Sequence, residues 1–398
     1  MNIEDVTGRV EITALGARGD GLAGELAIPY TLPGDVIENG KLVTHSPDRI
    51  TPVCRHFGTC GGCVLQHASD AFLADWKTGI VKQALRSQGL PEEIRAVHVS
   101  PPGSRRRVVF SGRRTKKTVQ LGFYERRSEV LVPIQECALL VPELMDAVED
   151  LKAIVRLAAT RTSVVKLALS ATPEGLDLAV TNAREIEADG ISTLAGVASG
   201  FARVSWNDEV VLLKSQPVQQ FGKAQVVPPA GAFLQATQDG EGALVRAVLN
   251  GVGTPARVMD LFAGCGTFSL PMAEFSDVHA VEFDDAMLKA LDAGWRQAKG
   301  LKQVSVETRD LFRRPVLRSE FKGFDAVVLD PPRAGAAAQV EELAASQVAR
   351  VLHVSCNPVT FARDARVLVD AGFTLDWMEV VDQFRWSPHV ELVGCFSR

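Results

Sequence analysis

The chain has 398 residues, of which 46% are hydrophobic and 23% are charged, a composition typical of globular proteins with more than one core. The formal net charge of −5 argues against wholesale nucleic-acid binding, so such binding would depend on a local basic segment. The sequence has no uncharged apolar run of about 18 residues, which argues against a membrane span. Residues 1–5 lack the pattern of a signal peptide, and we expect a cytoplasmic protein.

The first 50 residues predict a small β-barrel that forms a domain of its own. Four glycines between positions 16 and 24 separate short strand-like runs, and Leu32-Pro33-Gly34-Asp35 marks a tight turn. A cysteine-containing loop is predicted over residues 51–66. A helix is predicted from Ser69 to Leu85, because the apolar residues there recur at helical spacing.

Four of the seven cysteines form a pattern typical of a metal site. Cys54, Cys60 and Cys63 lie close together, and Cys137 lies farther along the chain. An odd number of cysteines in a reducing compartment argues against a disulfide framework. Zinc sites usually contain two closely spaced pairs, whereas this pattern has one pair and two outliers. The spacing therefore favours a [4Fe–4S] cluster, with zinc or free thiols as alternatives.

Residues 51–230 are predicted to form an α+β central domain that includes the cysteine loop. The segment from Arg105 to Lys117 contains seven cations and no acidic residue, and it predicts either a solvated surface or a strand pair with a basic face. A helix is predicted from Pro142 to Ala158. Strands are predicted at Arg107–Phe110, Val119–Tyr124, Val164–Leu169 and Leu176–Thr181.

Residues 231–398 predict a third domain of the α/β class with a doubly wound sheet. Apolar strand-like runs alternate with helical segments through the first five strands, and ligands of such sheets bind at the carboxyl ends of the strands. The predicted strands are Arg257–Phe262, Val278–Glu282, Val304–Glu307, Ala326–Leu329, Val351–Val354, Leu375–Val381 and Val390–Phe396.

A glycine loop after the first of these strands predicts a nucleoside cofactor. Gly264 and Gly266 let the backbone approach a ligand, and Glu282 ends the next strand, where a carboxylate can accept both ribose hydroxyls. A dinucleotide loop would have a third glycine at position 269, where this chain has Ser269. The pattern therefore favours S-adenosylmethionine over a nicotinamide dinucleotide, although a tight structural turn would leave the same glycines.

Asp330, Cys356 and Glu391 are the candidate reactive groups. Asp330 ends the fourth strand and begins Asp330-Pro331-Pro332-Arg333, where Arg333 stands in place of the aromatic residue usual in amino-group methyltransferases. Cys356 follows the fifth strand, beside the expected cofactor, and is a candidate nucleophile. Glu391 lies among apolar strand residues, where partial burial would raise its pKa towards that of a useful base. A strand-end cap and a buried structural cysteine are the alternative interpretations of Asp330 and Cys356.

Together these motifs resemble the RNA uracil-C5 methyltransferase family, and within it the iron–sulfur-containing 23S ribosomal RNA (uracil-5-)-methyltransferases. The similarity extends over nearly the whole chain, and residues 1 to about 40 look like a shortened TRAM domain, an RNA-binding barrel. The resemblance implies a class I methyltransferase sheet. Its most specific segments are Cys54 with Cys60-Gly61-Gly62-Cys63, residues 122–128, Phe233-x-Gln235, Asp330-Pro331-Pro332-Arg333, Ser355-Cys356-Asn357-Pro358 and His389-Val390-Glu391.

The resemblance implies a role for each matching residue. Cys356 corresponds to the nucleophile and Glu391 to the base that removes the C5 proton. The positions that contact S-adenosylmethionine are Gln235, Phe262, Glu282 and Asp330, to which the glycine loop adds Gly264. The [4Fe–4S] ligands are Cys54, Cys60, Cys63 and Cys137. The family often has Phe-Pro before the His-Val-Glu motif, whereas here Arg385 and Trp386 follow Phe384.

We therefore expect a monomeric methyltransferase without a membrane partner that acts on a uridine in RNA through attack of Cys356 on C6 of a flipped base. The implied substrate is 23S ribosomal RNA, with transfer RNA as an alternative. A non-catalytic RNA-binding assembly factor and an iron–sulfur oxidoreductase that uses a nicotinamide are alternatives of other classes. The presence of Cys356, Glu391 and Glu282 together argues against the first, and Ser269 argues against the second.

Overall fold

Two small antiparallel sheets form the amino-terminal part of the protein. The computed structural model describes residues 2–398, so Met1, where the predicted first domain begins, lies outside the described part. The two sheets have the strand orders β1-β5-β6 and β2-β3-β4 and enclose a small core that includes Ile12, Ile28 and Ile37. The predicted β-rich amino-terminal unit is thus confirmed. The strands are β1 (Arg9–Glu11), β2 (Ala14–Leu15), β3 (Asp20–Ala23), β4 (Leu26–Pro29), β5 (Val36–Glu38) and β6 (Lys41–Thr44), after a 3-10 turn at Ile3–Asp5.

A seven-stranded sheet and the helices that pack against it form the middle of the chain. Its strand order is β10-β9-β8-β11-β12-β13-β14, and only the β12–β13 pair within it is parallel. The predicted helix from Pro142 to Ala158 is wrong in one respect, because Ala147 divides it into two. The elements are β8 (Arg107–Arg114), β9 (Val119–Tyr124), β10 (Leu131–Pro133), α2 (Pro142–Asp146), α3 (Val148–Ala158), β11 (Val164–Thr172), β12 (Gly175–Thr181), α4 (Ala188–Val197), β13 (Phe201–Trp206) and β14 (Glu209–Leu213).

The cations between Arg105 and Lys117 do not form one basic face. Arg106 is buried and forms an ion pair with Glu241 at 2.6 Å. Arg113 is exposed and donates to Gln120 on the neighbouring strand. The predicted strand pair is present as β8 and β9, but Arg106 is not part of a basic face, because neighbouring residues of an extended chain point in opposite directions.

The carboxyl-terminal sheet has eight strands in the order β19-β18-β17-β20-β21-β23-β22-β7. Strand β23 is antiparallel to both of its neighbours, and the other pairs are parallel. The elements are β15 (Gln219–Phe221) and β16 (Ala224–Val226), which pair with each other, then α5 (Gln238–Val252), β17 (Arg257–Leu261), α6 (Ser269–Met272), β18 (Asp277–Glu282), α7 (Asp285–Gln297), β19 (Val304–Thr308), β20 (Ala326–Leu329), α8 (Ala337–Ala344), β21 (Arg350–Ser355), α9 (Pro358–Asp370), β22 (Thr374–Asp382) and β23 (Glu391–Ser397).

Helices cover both faces of this sheet, so the predicted doubly wound architecture is confirmed. One core packs α8 and α9 on the sheet and includes Leu343 and Phe361. The opposite core packs α5, α6 and α7 and includes Leu244 and Leu291. One predicted element is absent, since residues 309–325, between β19 and β20, form turns and no helix.

An earlier part of the chain completes the same unit. Helix α1 (Asp70–Ser87) packs beside α9 through Val81 and Leu85. Strand β7 (Ala96–Val99) adds a parallel edge strand beside β22, and the sequence pattern did not indicate it. The domain boundaries near residues 50 and 230 stay predictions.

No helix among residues 2–398 combines the length and the apolar character that crossing a membrane requires.

Candidate active site

A cavity of about 630 Å³ lies at the edge of the eight-stranded sheet where the parallel strands end. It is large enough for a nucleoside-sized ligand and part of a second one. Every residue predicted to act in catalysis or cofactor binding lines this cavity, and the roles of these residues stay predictions. They are Gln235, Phe262, Gly264, Glu282, Asp330, Cys356 and Glu391.

Strand order explains why residues so far apart in sequence meet here. Gly264 follows β17, Glu282 ends β18 and Asp330 follows β20. These three strands are parallel neighbours, so their carboxyl ends share one edge of the sheet.

Cys356 and Glu391 are brought together by the one antiparallel strand of the sheet. Ser355, the last residue of β21, pairs with Leu392 of β23. Cys356 directly follows Ser355, and Glu391 directly precedes Leu392, so both residues adjoin the last pair of this register, and both line the cavity. The candidate nucleophile and the candidate base are therefore cross-strand neighbours facing one cavity.

The loop after β17 has a backbone that approaches the cavity closely. Gly266 has φ +95°, and a Cβ there would lie 2.8 Å from a side-chain atom of Leu291. Phe262 has φ +63° although it is not a glycine. Such a conformation costs about 1–3 kcal/mol and is retained mainly at functional sites.

Backbone groups hold the Glu282 carboxylate in place. One oxygen accepts the Gly264 N–H at 3.0 Å, and the other accepts the N–H groups of Phe283 at 2.7 Å and Asp284 at 3.0 Å. A carboxylate offers about four acceptor positions, so capacity for a ligand hydroxyl remains. The Phe283 ring is 69% exposed and lines the same cavity, where it can stack on a planar base.

The electrostatics of the cavity favour protonated acids. Burial raises the pKa of Asp330 to about 7. Burial, and then the nearby Asp330, raise the pKa of Glu391 well above its usual value. Burial, followed by the charges of Glu391 and Asp330, raises the pKa of Cys356 to about 11, and Arg333 opposes these shifts at both Glu391 and Cys356. The Arg333 charge therefore lies close to both candidate reactive groups.

Gln383 connects the two halves of the cavity, and the sequence analysis missed it. Its side-chain nitrogen donates to the Gln235 side chain at 2.5 Å and to Glu391 at 3.5 Å. Its side-chain oxygen accepts the Ala236 N–H at 2.8 Å. The contacts come from separate segments of the chain, so no local pattern indicates them.

Asp260 is a second buried carboxyl that the sequence analysis missed. It lies in β17 with no exposure, and burial raises its pKa to about 7. The Ser269 hydroxyl donates to one of its oxygens, and the other oxygen has no partner. Ser269 occupies the third glycine position of a dinucleotide loop, so its side chain has a structural task at this position.

The segment that leads to Glu391 is fixed from two sides. Lys77 of α1 is 1% exposed and donates to Asp382 at 2.5 Å and to the Phe384 carbonyl at 3.0 Å. The Trp386 carbonyl accepts the N–H groups of Val64 and Leu65, which directly follow Cys63 in the cysteine loop. Trp386, which with Arg385 replaces the expected Phe-Pro pattern, is thus a buried link between the cysteine loop and the Glu391 segment.

A separate cavity of about 320 Å³, here called the cysteine cavity, is lined by all four candidate cluster ligands: Cys54, Cys60, Cys63 and Cys137. Backbone N–H groups point at its sulfur atoms. Gly62 donates to Cys60 at 3.4 Å, and Leu139 and Leu140 donate to Cys137. Burial raises the pKa of the Cys63 thiol to about 12.

The cysteine cavity does not have the geometry of a single-ion site. Within residues 2–398, no three histidine, cysteine, aspartate or glutamate side chains stand close enough to hold one metal ion. The structure therefore brings the four thiols to one cavity without joining them into a coordination shell. Their assignment as cluster ligands stays a prediction.

The chain is similar to known RNA methyltransferases. A family model described as tRNA (Uracil-5-)-methyltransferase matches residues 243–397. A protein of Rhizobium meliloti named an uncharacterized RNA methyltransferase is 44% identical over 98% of this chain and all of its own length. A Halomonas elongata protein named 23S rRNA (uracil(1939)-C(5))-methyltransferase is 32% identical over 88% of this chain and 77% of its own.

The fold agrees with that of a solved structure. The Pyrococcus abyssi tRNA (uracil-54, C5)-methyltransferase in complex with S-adenosyl-L-homocysteine has a TM-score of 0.79 over 98% of this chain and 99% of its own, at 23% identity. At that identity the likeness concerns the fold alone. From the sequence relatives, the chain belongs to the RNA (uracil-5-)-methyltransferase family, a family of S-adenosylmethionine-dependent enzymes.

Proposed function

We propose that this protein transfers a methyl group from S-adenosylmethionine to C5 of a uridine in RNA through a covalent bond between Cys356 and C6 of the uracil. The observation that carries the proposal is the cross-strand placement of Cys356 and Glu391 in one cavity with Glu282 and Gln235. A non-catalytic RNA-binding factor would have no use for a nucleophile and a base held opposite each other at a cofactor cavity.

The side chains account for each bond in the reaction. The Cys356 sulfur forms a bond to C6, and the electron pair of the C5–C6 double bond becomes an enolate that makes C5 nucleophilic. C5 then takes the methyl group, and S-adenosylhomocysteine leaves. Glu391 accepts the C5 proton, the double bond re-forms, and the sulfur is expelled from C6 as a thiolate.

Cys356 and Glu391 must both lose their protons before they can react. With a pKa of about 11, Cys356 is a thiol in the free protein at neutral pH. When bound, S-adenosylmethionine supplies the methyl group on a positively charged sulfonium. A positive charge in the cavity, added to that of Arg333, lowers the pKa of Cys356 and Glu391 and favours their reactive anions.

Residues on three strand ends suit the cofactor. The free acceptor capacity of Glu282 suits the ribose hydroxyls, while the glycine loop at Gly264 lets the ligand approach the backbone. Phe262, Asp330 and Gln235 line the rest of the cavity. We propose these five residues as the cofactor-binding set.

We propose 23S ribosomal RNA as the substrate, in keeping with the name of the Halomonas elongata relative, and hence a cytoplasmic site of action. Transfer RNA is the second candidate, favoured by the description of the matching family model. The test is methyl transfer to purified 23S rRNA and tRNA from cells that lack this gene, followed by mapping of 5-methyluridine. We expect incorporation at one uridine of 23S rRNA; incorporation into neither RNA would refute the proposed activity.

We further propose that Cys54, Cys60, Cys63 and Cys137 hold a [4Fe–4S] cluster. The proposal is supported by the sequence spacing, with one cysteine pair and two outliers, and by the common cavity that all four thiols line. It would fix the loop that leads to Trp386 and the Glu391 segment. Anaerobically purified protein should contain about four iron and four sulfide per chain; zinc in stoichiometric amount without iron would overturn this assignment.

A further inference from the structure

A third cavity, of about 340 Å³, lies beside the segment that leads to Glu391. We call it the arginine pocket. Three arginines and the segment from Phe384 to His389 form most of its lining, together with Gly61, Gly62 and Val64. The arginines are Arg18, Arg105 and Arg126.

The pocket is cationic, and two of its arginines form no ion pair with a carboxylate of residues 2–398. Arg126 donates twice to Asp20, so its charge is largely balanced. Within residues 2–398, neither Arg18 nor Arg105 forms an ion pair. No acidic residue lines the pocket.

Arg105 is held rigidly. Its N–H donates to the Leu139 carbonyl, and its own carbonyl accepts the Val141 N–H. Its guanidinium makes a single bond, from Nε to the Arg107 carbonyl at 3.0 Å, which leaves the two terminal nitrogens for a ligand. Arg105 also lines the cysteine cavity, where the sulfur atoms of Cys137 and Cys63 balance part of its charge. It can therefore bind a negatively charged ligand through its two free terminal nitrogens.

The remaining walls suit a nucleotide. The rings of Phe384 and His389 pack edge to face, with 6.1 Å between their centroids. Proteins bind single-stranded RNA with cationic side chains that contact the phosphates and with aromatic rings that stack on the bases. His389 lies two residues before Glu391, so at most about 7 Å of chain separates them. Gly61 lets the chain that lines the pocket pass close to the neighbouring hairpin, since a Cβ at this position would lie 2.8 Å from the Tyr124 carbonyl oxygen.

We propose that the arginine pocket binds the nucleotide next to the target uridine, with its phosphodiester on Arg18 and Arg105 and its base against Phe384 and His389. The inference rests on the proposed function only for the identity of the strand as RNA. A cavity with ring faces fits a nucleotide better than an acidic protein surface, which would meet the arginines from outside.

The test compares Arg18→Gln, Arg105→Gln and the double variant with wild type for binding of a fluorescent single-stranded RNA over a series of KCl concentrations. Each substitution should weaken binding roughly tenfold and reduce the slope of log K against log salt by about 0.7, the double variant by about 1.4. The control is Arg113→Gln, an exposed arginine about six residues along β8 and so ~20 Å from Arg107, which should leave the slope unchanged.

An unchanged slope of log K against log salt in the double variant would overturn the proposal. So would a loss of RNA affinity in Arg113→Gln as large as that in the pocket variants. Arg18 is exposed, so Arg18→Gln alone decides the matter if Arg105→Gln disturbs folding. RNA with one neutral methylphosphonate beside a 5-fluorouridine adds a second test. This linkage should weaken binding by wild type as much as binding by Arg113→Gln, and it should not weaken binding by the double variant any further. If wild type binds as predicted but traps no 5-fluorouridine RNA, the proposed reaction fails and the pocket stands.

Discussion

The two cavities that contain cysteines differ in what holds the sulfur atoms. Burial raises the thiol pKa in both, to about 11 for Cys356 and about 12 for Cys63. Cys356 follows a central strand, and Glu391 begins the strand that pairs with it. Cys54, Cys60, Cys63 and Cys137 lie outside regular strands and helices. The sheet therefore positions the first cavity, whereas loops hold the sulfur atoms of the second, and the predictions below separate these two conditions.

Replacing the candidate nucleophile should have the largest effect. Cys356→Ala should lower methyl transfer by at least about 10⁴-fold while leaving RNA affinity and melting temperature nearly unchanged, because the cavity is built by the sheet. The measurement is transfer of labelled methyl to RNA. The matched control is Cys395→Ala, a buried cysteine of β23 outside the cavity; equal loss in both variants would contradict the distinction.

Replacing the candidate base should block a later step. Glu391→Gln should lower turnover by about 10²–10⁴-fold, because the C5 proton cannot leave after the methyl group has been added. The methylated uracil would then stay bound to Cys356 on unmodified RNA. A denaturing gel should show this protein–RNA adduct, and a Glu391→Gln variant that turns over normally would exclude Glu391 as the base.

Removing one thiol of the cysteine cavity should affect stability more than chemistry. Cys60→Ser should lose most of the iron and lower the melting temperature, since binding of a structural metal group contributes directly to folding. The rate of methyl transfer per folded molecule should fall by less than about tenfold. A loss as large as that of Cys356→Ala, with folding intact, would mean that the cluster takes part in the reaction.

The Gln383 bridge should give the smallest effect. Gln383→Met removes a hydrogen bond that lowers the pKa of Glu391, so that pKa rises and the acidic limb of the pH–rate profile moves to higher pH. We expect a loss of about three- to tenfold in kcat at neutral pH. Gln220→Met, on the exposed hairpin residue that donates to Gly222, is the control; a fall in rate with an unmoved pH profile would leave Gln383 a merely structural role.

Local sequence pattern predicted the strands and the residues at their ends. Val119–Tyr124 and Ala326–Leu329 have the predicted bounds, because apolar runs bounded by turn residues are local signals. The residues predicted at the strand ends meet in one cavity for the same reason, since parallel strands of a doubly wound sheet end at one edge.

Long-range partners were beyond such patterns. Strand β7 consists of four largely exposed residues, and its pairing with β22 joins segments about 280 residues apart. Gln383 and the buried Lys77–Asp382 pair depend on the same kind of distant contact. The break at Ala147 interrupts an apolar periodicity that continues on both sides, so the pattern predicted one helix where there are two.

The most direct test is to incubate the protein with S-adenosylmethionine and RNA that contains 5-fluorouridine, digest the complex, and identify the modified peptide by mass spectrometry. A fluorine at C5 cannot be removed as a proton, so the adduct should persist and map to Cys356, and it should be absent from Cys356→Ala. Absence of an adduct on the natural substrate RNA, or an adduct on one of the other six cysteines, would contradict the mechanism.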